Sequence, residues 1–308
     1  MRFVIRLSAL AVLFSALAAV TTWAQTTTEQ PAKPDTNQSD KDASESEKYI
    51  RIERDKDGRK LALQTAIVRF EGQAETEHAG VVVDLVGVVH IGEKDYYREL
   101  NDLLGTYDSV LYELVAPDGT RIRPEDLKQR RSIVASMQTG MKDMLKLEYQ
   151  LEQIDYMAEN FRHADMSPEE FTEDLERRGD SVVKMMARMM GAGLATQAKT
   201  GGDLGVLMAL FSQDRSTAMK NAMAKQLIDM EAVTAGMDDA NGENTLIKGR
   251  NAKAFEVLKE ELAKGNKKLA VFYGAGHLSD MAERLENDFQ MRPTSTTWFN
   301  AWDLKGDQ

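Results

Sequence analysis

The apolar positions of this chain fall into groups that differ in period, and each group predicts a different kind of segment. Leu7 to Val20 is an apolar run broken only by Ser8 and Ser15, and Arg2 and Arg6 precede it. A charged start, an apolar run and the small residues that flank Trp23 in Thr22-Trp23-Ala24 make up the pattern of an export signal, with cleavage expected after Ala24. The run is shorter than the roughly 20 residues that span a bilayer, so residues 1–24 are read as a signal peptide and not as an anchor. From Gln25 to Lys48 the sequence is almost without apolar residues. Such a segment buries too little surface to offset the entropy of ordering and reads as a disordered polar linker. Residues 49–308 are expected to form one domain.

Within that domain, Leu61 to Phe70 and Gly80 to Val89 are β-type runs separated by the polar Glu71 to His78, the pattern of a hairpin. The second run is nearly continuous in β-branched residues, as in a strand covered on both faces. Lys94 to Leu104 places Tyr97, Leu100, Leu103 and Leu104 at helical spacing, and Ser109 to Val115 returns to a strand pattern. Strand, helix and strand predict a right-handed crossover with a parallel pair. Later, Asn244 to Lys264 reads as a helix, Lys268 to Tyr273 as a strand, Leu278 to Asn287 as a helix, and Thr294 to Leu304 as a closing strand. Between the two parts, residues 124–237 look helical throughout, with breaks at Pro168, Gly191 and Gly201-Gly202. The fold class is therefore α/β, with a helical insertion that caps the sheet. Met185, Met186, Met189 and Met190 are expected on one helix face, which suits apolar packing better than a Cu(I) site.

The chain has no cysteine and a formal charge of −11. In an exported protein this means no disulfides, a periplasmic (or secreted) address, and any metal held by nitrogen and oxygen. The charge argues against nucleic acid and anionic lipid headgroups as main partners, and no stretch after the signal is apolar enough to span a membrane, so no stable membrane insertion is expected after cleavage. Cationic ligands and metal ions remain compatible with it.

Four histidines are present, and two stand in the same setting. His90 closes Gly87-Val88-Val89-His90 and His277 closes Gly274-Ala275-Gly276-His277, each at the C-terminal end of a predicted strand. That edge of an open α/β sheet is where ligands bind. Glu113 interrupts the apolar run from Val110 to Val115, where a charge is costly unless paired, and a parallel neighbouring strand would bring it beside His90. Two imidazoles and a carboxylate are a donor set for a first-row divalent metal with open positions for water. The same three groups also suit a satisfied hydrogen-bond cluster, and the spacing alone leaves both open. His78, in an acidic loop, is expected to be solvated, and His163 to cap the C-terminus of a helix. Neither a His-Glu-x-x-His helix nor a Gly-x-Ser-x-Gly elbow occurs, which disfavours ordinary zincins and serine hydrolases.

Gly87-x-x-His90 followed by Tyr97-Arg98-Glu99-Leu100, then Tyr112-Glu113-Leu114, and finally Tyr273-Gly274-Ala275-Gly276-His277-Leu278 resemble the TraB/PrgY/GumN family, which is related to the Tiki metalloproteases. The likeness runs from about Leu61 to Trp302 and includes Gln153 to Tyr156 and His163 to Ser167. It implies a mixed, mostly parallel sheet with flanking helices, shared distantly with erythromycin esterases and haem-binding ChaN-like proteins. It also implies divalent-metal-dependent peptide cleavage, with manganese or cobalt the leading candidates and zinc or iron further ones. His90, Glu113 and His277 would be metal ligands, Glu113 also an acid-base group, and Arg250 the residue that steadies a carboxylate or a developing oxyanion. Surface exposure is the alternative for Arg250. The chain departs from the family at Val115, where an acidic or amide residue is common, and at Asp280, where glycine is. Asp280 is expected to serve as a helix N-cap and not as an extra ligand. Three functions follow: a metal-dependent hydrolase acting on peptides or proteins, a metal-independent His/Glu esterase, and a protein that holds haem or a peptide without cleaving it.

Overall fold

The computed structural model describes residues 47–123, 144–200, 208–209, 211–235 and 244–306, with backbone alone for 192–200 and 230–235. The expected signal peptide, the linker before Glu47 and part of the insertion lie outside the described residues. In chain order the elements are β1 (Ile50–Arg54), β2 (Lys60–Gly72), β3 (Val82–Val88), β4 (Ile91–Gly92), α1 (Lys94–Leu104), β5 (Ser109–Tyr112), β6 (Glu148–Tyr149), α2 (Gln150–Gln153), β7 (Phe161–His163), α3 (Pro168–Arg177) and α4 (Val182–Thr200). Then come α5 (Arg215–Ala235), a π-helical turn (Thr245–Gly249), α6 (Arg250–Ala263), β8 (Lys268–Gly274), a 3-10 turn (Ala275–His277), α7 (Leu278–Asn287) and β9 (Met291–Asp303). No helix among the described residues is long and apolar enough to cross a membrane.

Seven strands form one sheet in the order β1-β2-β3-β8-β5-β7, with β9 paired along β2. The pairs β3·β8, β8·β5 and β5·β7 are parallel, while β1, β3 and β9 are each antiparallel to β2. Strand β2 thus runs against all the others, and the sheet is mixed and mostly parallel in direction. The hairpin of β2 and β3 is in place, with Ile67 opposite Val86. Central strands are dry on both faces: Val83, Leu85 and Val86 in β3 and Leu269 to Tyr273 in β8 are fully buried, as continuous apolar strands under two helical layers should be. Helix α1 buries Tyr97, Leu100 and Leu104, and α7 buries Leu278, Met281 and Leu285, each a stripe at helical spacing turned to the sheet.

Several expectations change here. The crossover β3-α1-β5 exists, but β8 lies between its two strands, so β3 and β5 are not neighbours. A chain segment far away in sequence fills the gap, and periodicity carries no record of strand order. The insertion is also less purely helical than expected: β6 and β7 fall inside it, and β7 joins the main sheet beside β5. The break expected at Pro168 is present and is a helix start. Pro168 is the first residue of α3, and Ser167 with Glu170 forms a reciprocal capping box around it. Met185 is buried and Met186 and Met190 are exposed, so the methionines of α4 divide between a second apolar cluster and the surface.

At the edge of the sheet remote from the histidines, Asp84 is 1% exposed in the middle of β3. Arg69 donates to both of its oxygens at 2.9 and 2.8 Å, and the Tyr107 hydroxyl donates at 2.6 Å. The pair fixes the register of the hairpin and ties it to the end of α1. Breaking a buried pair costs about 3–5 kcal/mol, and the half-exposed Arg69 side chain lowers that figure. Asp84→Ala is expected to destabilise the fold by about 2 kcal/mol. Urea denaturation of both proteins checks this; a loss under about 0.5 kcal/mol would mean that the network does not hold the hairpin.

Candidate functional site

Three parallel strands end at one place. Strand β3 ends at Val88, two residues before His90; β8 ends at Gly274, and a single 3-10 turn carries the chain to His277; β5 ends at Tyr112, one residue before Glu113. Because β8 is in the middle, Glu113 stands beside Gly274 and His277, and the expected juxtaposition with His90 across neighbouring strands does not occur. The Gly274 N–H donates to Glu113 Oε2 at 2.8 Å. A Cβ on Gly274 would lie 3.3 Å from that oxygen, so glycine here lets the carboxylate approach the backbone. A Cβ on Gly87 would meet the Ala66 carbonyl at 3.0 Å and Leu278 at 3.2 Å. In this case glycine permits close packing of β2, β3 and α7.

Arg250 completes the cluster. It is the first residue of α6 and is 8% exposed, not a surface helix residue. Its Nε and one terminal nitrogen, NH2, donate to the two oxygens of Asp165 at 2.9 and 2.6 Å, and NH2 also donates to Glu113 Oε1 at 2.6 Å. The other terminal nitrogen, NH1, lies 3.5 Å from the Leu246 carbonyl and 3.5 Å from His277 Nε2. Asp165 is fully buried. Burial by itself would raise the Glu113 carboxyl, but the Arg250 guanidinium, followed by the two imidazoles of His277 and His90 and the Gly274 N–H, outweighs it and holds Glu113 well below the usual carboxylate range.

His277 is buried, and Asn251, the residue after Arg250, orients it. The Asn251 amide nitrogen donates to the His277 carbonyl at 3.1 Å and to Asp280 at 2.8 Å, both groups that only accept. The Asn251 oxygen is therefore the atom 2.6 Å from His277 Nδ1, which places the proton on Nδ1 and the lone pair on Nε2. That Nε2 is 3.7 Å from Glu113 Oε1. Burial, helped by Arg250, depresses the imidazole to about 3 against the pull of Glu113. His90, at the exposed rim, has an analogous partner. Its Nδ1 is 3.0 Å from the oxygen of buried Gln150, whose amide nitrogen donates to the Tyr156 hydroxyl at 2.9 Å.

Three other expectations are corrected. Asp280 is the third residue of α7, where His277 holds the cap position, and it accepts from Asn251 and, at 2.6 Å, from Arg284. It is thus neither cap nor extra ligand but a support for Asn251. His163 ends β7 and binds the Leu114 carbonyl through Nε2 at 2.6 Å, so it clamps the segment after Glu113 instead of a helix end. His78 is half-buried and stacks on Phe289 at 5.3 Å. Val115 packs beside the second apolar cluster. Asp165, Asn251 and Gln150 were missed as site residues; in the sequence Asn251 is marked by its adjacency to Arg250 and Asp165 by its place in the segment His163 to Ser167.

The donor types suit a first-row divalent ion: an ionised carboxylate and two imidazoles whose Nδ1 atoms face amide oxygens, the outer contact that metal-binding histidines commonly make. A separation of 3.7 Å between Glu113 Oε1 and His277 Nε2 is within reach of one ion with bonds of about 2.0–2.2 Å. Among the described residues, however, no group of three His, Asp or Glu stands gathered around one point. Arg250 already engages Glu113, and a third donor would be the exposed His90 side chain.

In metal-free protein, His277 is expected to stay neutral, protonated on Nδ1, between pH 5 and 8. Its stability contribution has a definite sign: the unfolded chain takes up this proton near pH 6.5 and the folded chain only near pH 3, so the fold loses stability as pH falls through that window. Nitrogen-15 NMR of the imidazole checks this, and a titration between pH 5 and 8 would contradict it. Comparison of the chain with family models, with curated proteins and with solved structures finds no match.

Proposed function

We propose that the chain is an exported hydrolase, with peptides or proteins as substrates, whose chemistry is centred on Glu113, Arg250 and His277 with His90 at the entrance. The observation that carries this reading is the charge inventory of a buried site. Two carboxylates, Glu113 and Asp165, share one guanidinium, while His277 is neutral and turns a lone pair toward Glu113. A buried excess of negative charge is costly without a further cation. His90, Glu113 and His277 would hold a divalent ion there, manganese or cobalt before zinc or iron. Such an ion, when bound, acidifies water and polarises a carbonyl. In this site Asp165 holds Arg250 in place, Arg250 presents N–H groups to developing negative charge, and Asn251 keeps His277 Nε2 free of a proton. The peptide substrate and the export rest on the family resemblance and on the first 24 residues.

A second reading is metal-independent, with His277 Nε2 as the base and an ester as the substrate. The contacts of Arg250 with Glu113 and His277 favour it, because they make the guanidinium a resident cation.

Elemental mass spectrometry of protein purified without chelators, together with hydrolysis of a mixed peptide library, separates the two. The metal reading expects near-stoichiometric ion, at least a tenfold loss of affinity in both His90→Ala and His277→Ala, and activity that chelation abolishes and manganese or cobalt restores. Ester hydrolysis that survives exhaustive chelation would establish the second reading. Folded protein with neither ion nor hydrolysis would end both.

A further inference from the structure

Beside the site is a cavity of about 430 Å³, within the range of about 300–1,000 Å³ typical of small-molecule pockets. The end of α3, the first turns of α4 and the π-helical turn enclose it. Its floor is apolar. Leu175 and Met185 line it from a cluster that also contains Met166 and Phe171, and Leu246 packs against the same cluster. Its rim is basic: Arg178, Lys184 and Arg188 face it with Asp180 as the one carboxylate among the lining residues. Arg178 pairs with Asp174 at 2.7 Å, Arg188 with Asp180, and Lys184 donates to the Gly179 carbonyl at 3.2 Å. Asp174 and Asp180 thus answer Arg178 and Arg188, and Lys184, which donates to a carbonyl, leaves the rim with an excess of one positive charge over the apolar floor.

We propose that this cavity is a binding site for a single-chain amphiphile with an anionic head, such as a medium-chain carboxylate. The apolar chain lies against Leu175, Met185 and Leu246, where it loses contact with water, and the head meets Lys184 and Arg188 at the rim, where a charge can keep part of its hydration. A cationic head is disfavoured by the same rim. The volume suits one chain and not the paired chains of a phospholipid. The π-helical turn connects this cavity to the catalytic groups. Thr245 and Leu246 form part of the cavity wall, Leu246 offers its carbonyl to Arg250, and the turn ends at Arg250 itself. π-Helical turns are rare and gather at functional sites. A Cβ on Gly249 would lie 2.9 Å from Asp174 Oδ2, and Thr245 donates to the same oxygen at 2.6 Å, so α3 grips the turn closely.

The test is isothermal titration calorimetry of the full chain with decanoate, kept below its micelle concentration, with decyltrimethylammonium as the control of opposite charge. Decanoate is expected to bind one per chain and at least tenfold more tightly than the cation. The double variant Lys184→Glu/Arg188→Glu, which alters exposed side chains only, is expected to weaken decanoate at least tenfold. Ala187→Trp, which narrows the exposed wall, should do the same, and circular dichroism reports whether either variant is folded. Equal affinity for both head groups, affinity unchanged in both variants, or no binding at millimolar decanoate would overturn the proposal. None of these measurements depends on metal or on hydrolysis, so their failure leaves the hydrolase reading where it stands.

Discussion

The guanidinium of Arg250 is the contact on which the rest of the site depends. It joins three segments that are remote in sequence: the start of α6, the residue after β5 and the residue two beyond β7. A cation taken this far out of water costs several kcal/mol to desolvate, and only well-placed acceptors offset that. Asp165 supplies two of them in a forked arrangement and Glu113 a third, and in return each carboxylate gains a cationic partner inside the protein. If Arg250 is removed, both carboxylates are left as uncompensated buried charges; if either carboxylate is removed, the guanidinium loses acceptors that hold it in place. The site is therefore a unit, and its members are not independent contributors whose effects can be added.

How much of this the sequence discloses varies with the kind of information required. Helices α1 and α7 begin and end where their apolar spacing predicts, at Lys94 and Leu104 and at Leu278 and Asn287, because amphipathic period and burial are the same property seen twice. The two Gly-x-x-His segments follow β3 and β8 at the C-terminal edge of the sheet, as their apolar runs predict, since a short turn after a buried strand constrains residue type locally. Strand order is different. Nothing in residues 82–115 says that β8, more than 150 residues later, will lie between β3 and β5, and so Glu113 was expected beside His90 when it stands beside His277. Strand β7 escaped because three residues are too few for a period to show.

Asp165 shows the limit most clearly. In sequence it is a polar residue between Ala164 and Met166 in a stretch that reads as helical. In the fold it is fully buried and completes the arginine pair. A buried carboxylate has no local signature, because what makes it tolerable is a partner 85 residues away. The short polar side chains that orient the histidines are hidden in the same manner. Gln150 and Asn251 matter through their amide dipoles, and a single amide in a sequence is unremarkable until its neighbours are known.

The two histidines differ in a way that bears on how such a site would work. His277 is enclosed, oriented by Asn251 and kept neutral by burial; its lone pair is present at any ordinary pH and costs nothing to prepare when a ligand arrives. His90 is exposed, and its only described side-chain hydrogen bond is to Gln150, so its position is the one that can adjust. On the proposed reading, an enclosed half and an exposed half would divide the requirements of catalysis between them. The first would supply pre-oriented charge in a dry setting, where electrostatic interactions are strong, and the second would let a substrate or an ion enter. Arg250 lies on the rigid side, bridging Glu113 and facing His277 Nε2. Any ligand that enters must therefore compete with, or be stabilised by, a cation that the fold has already placed.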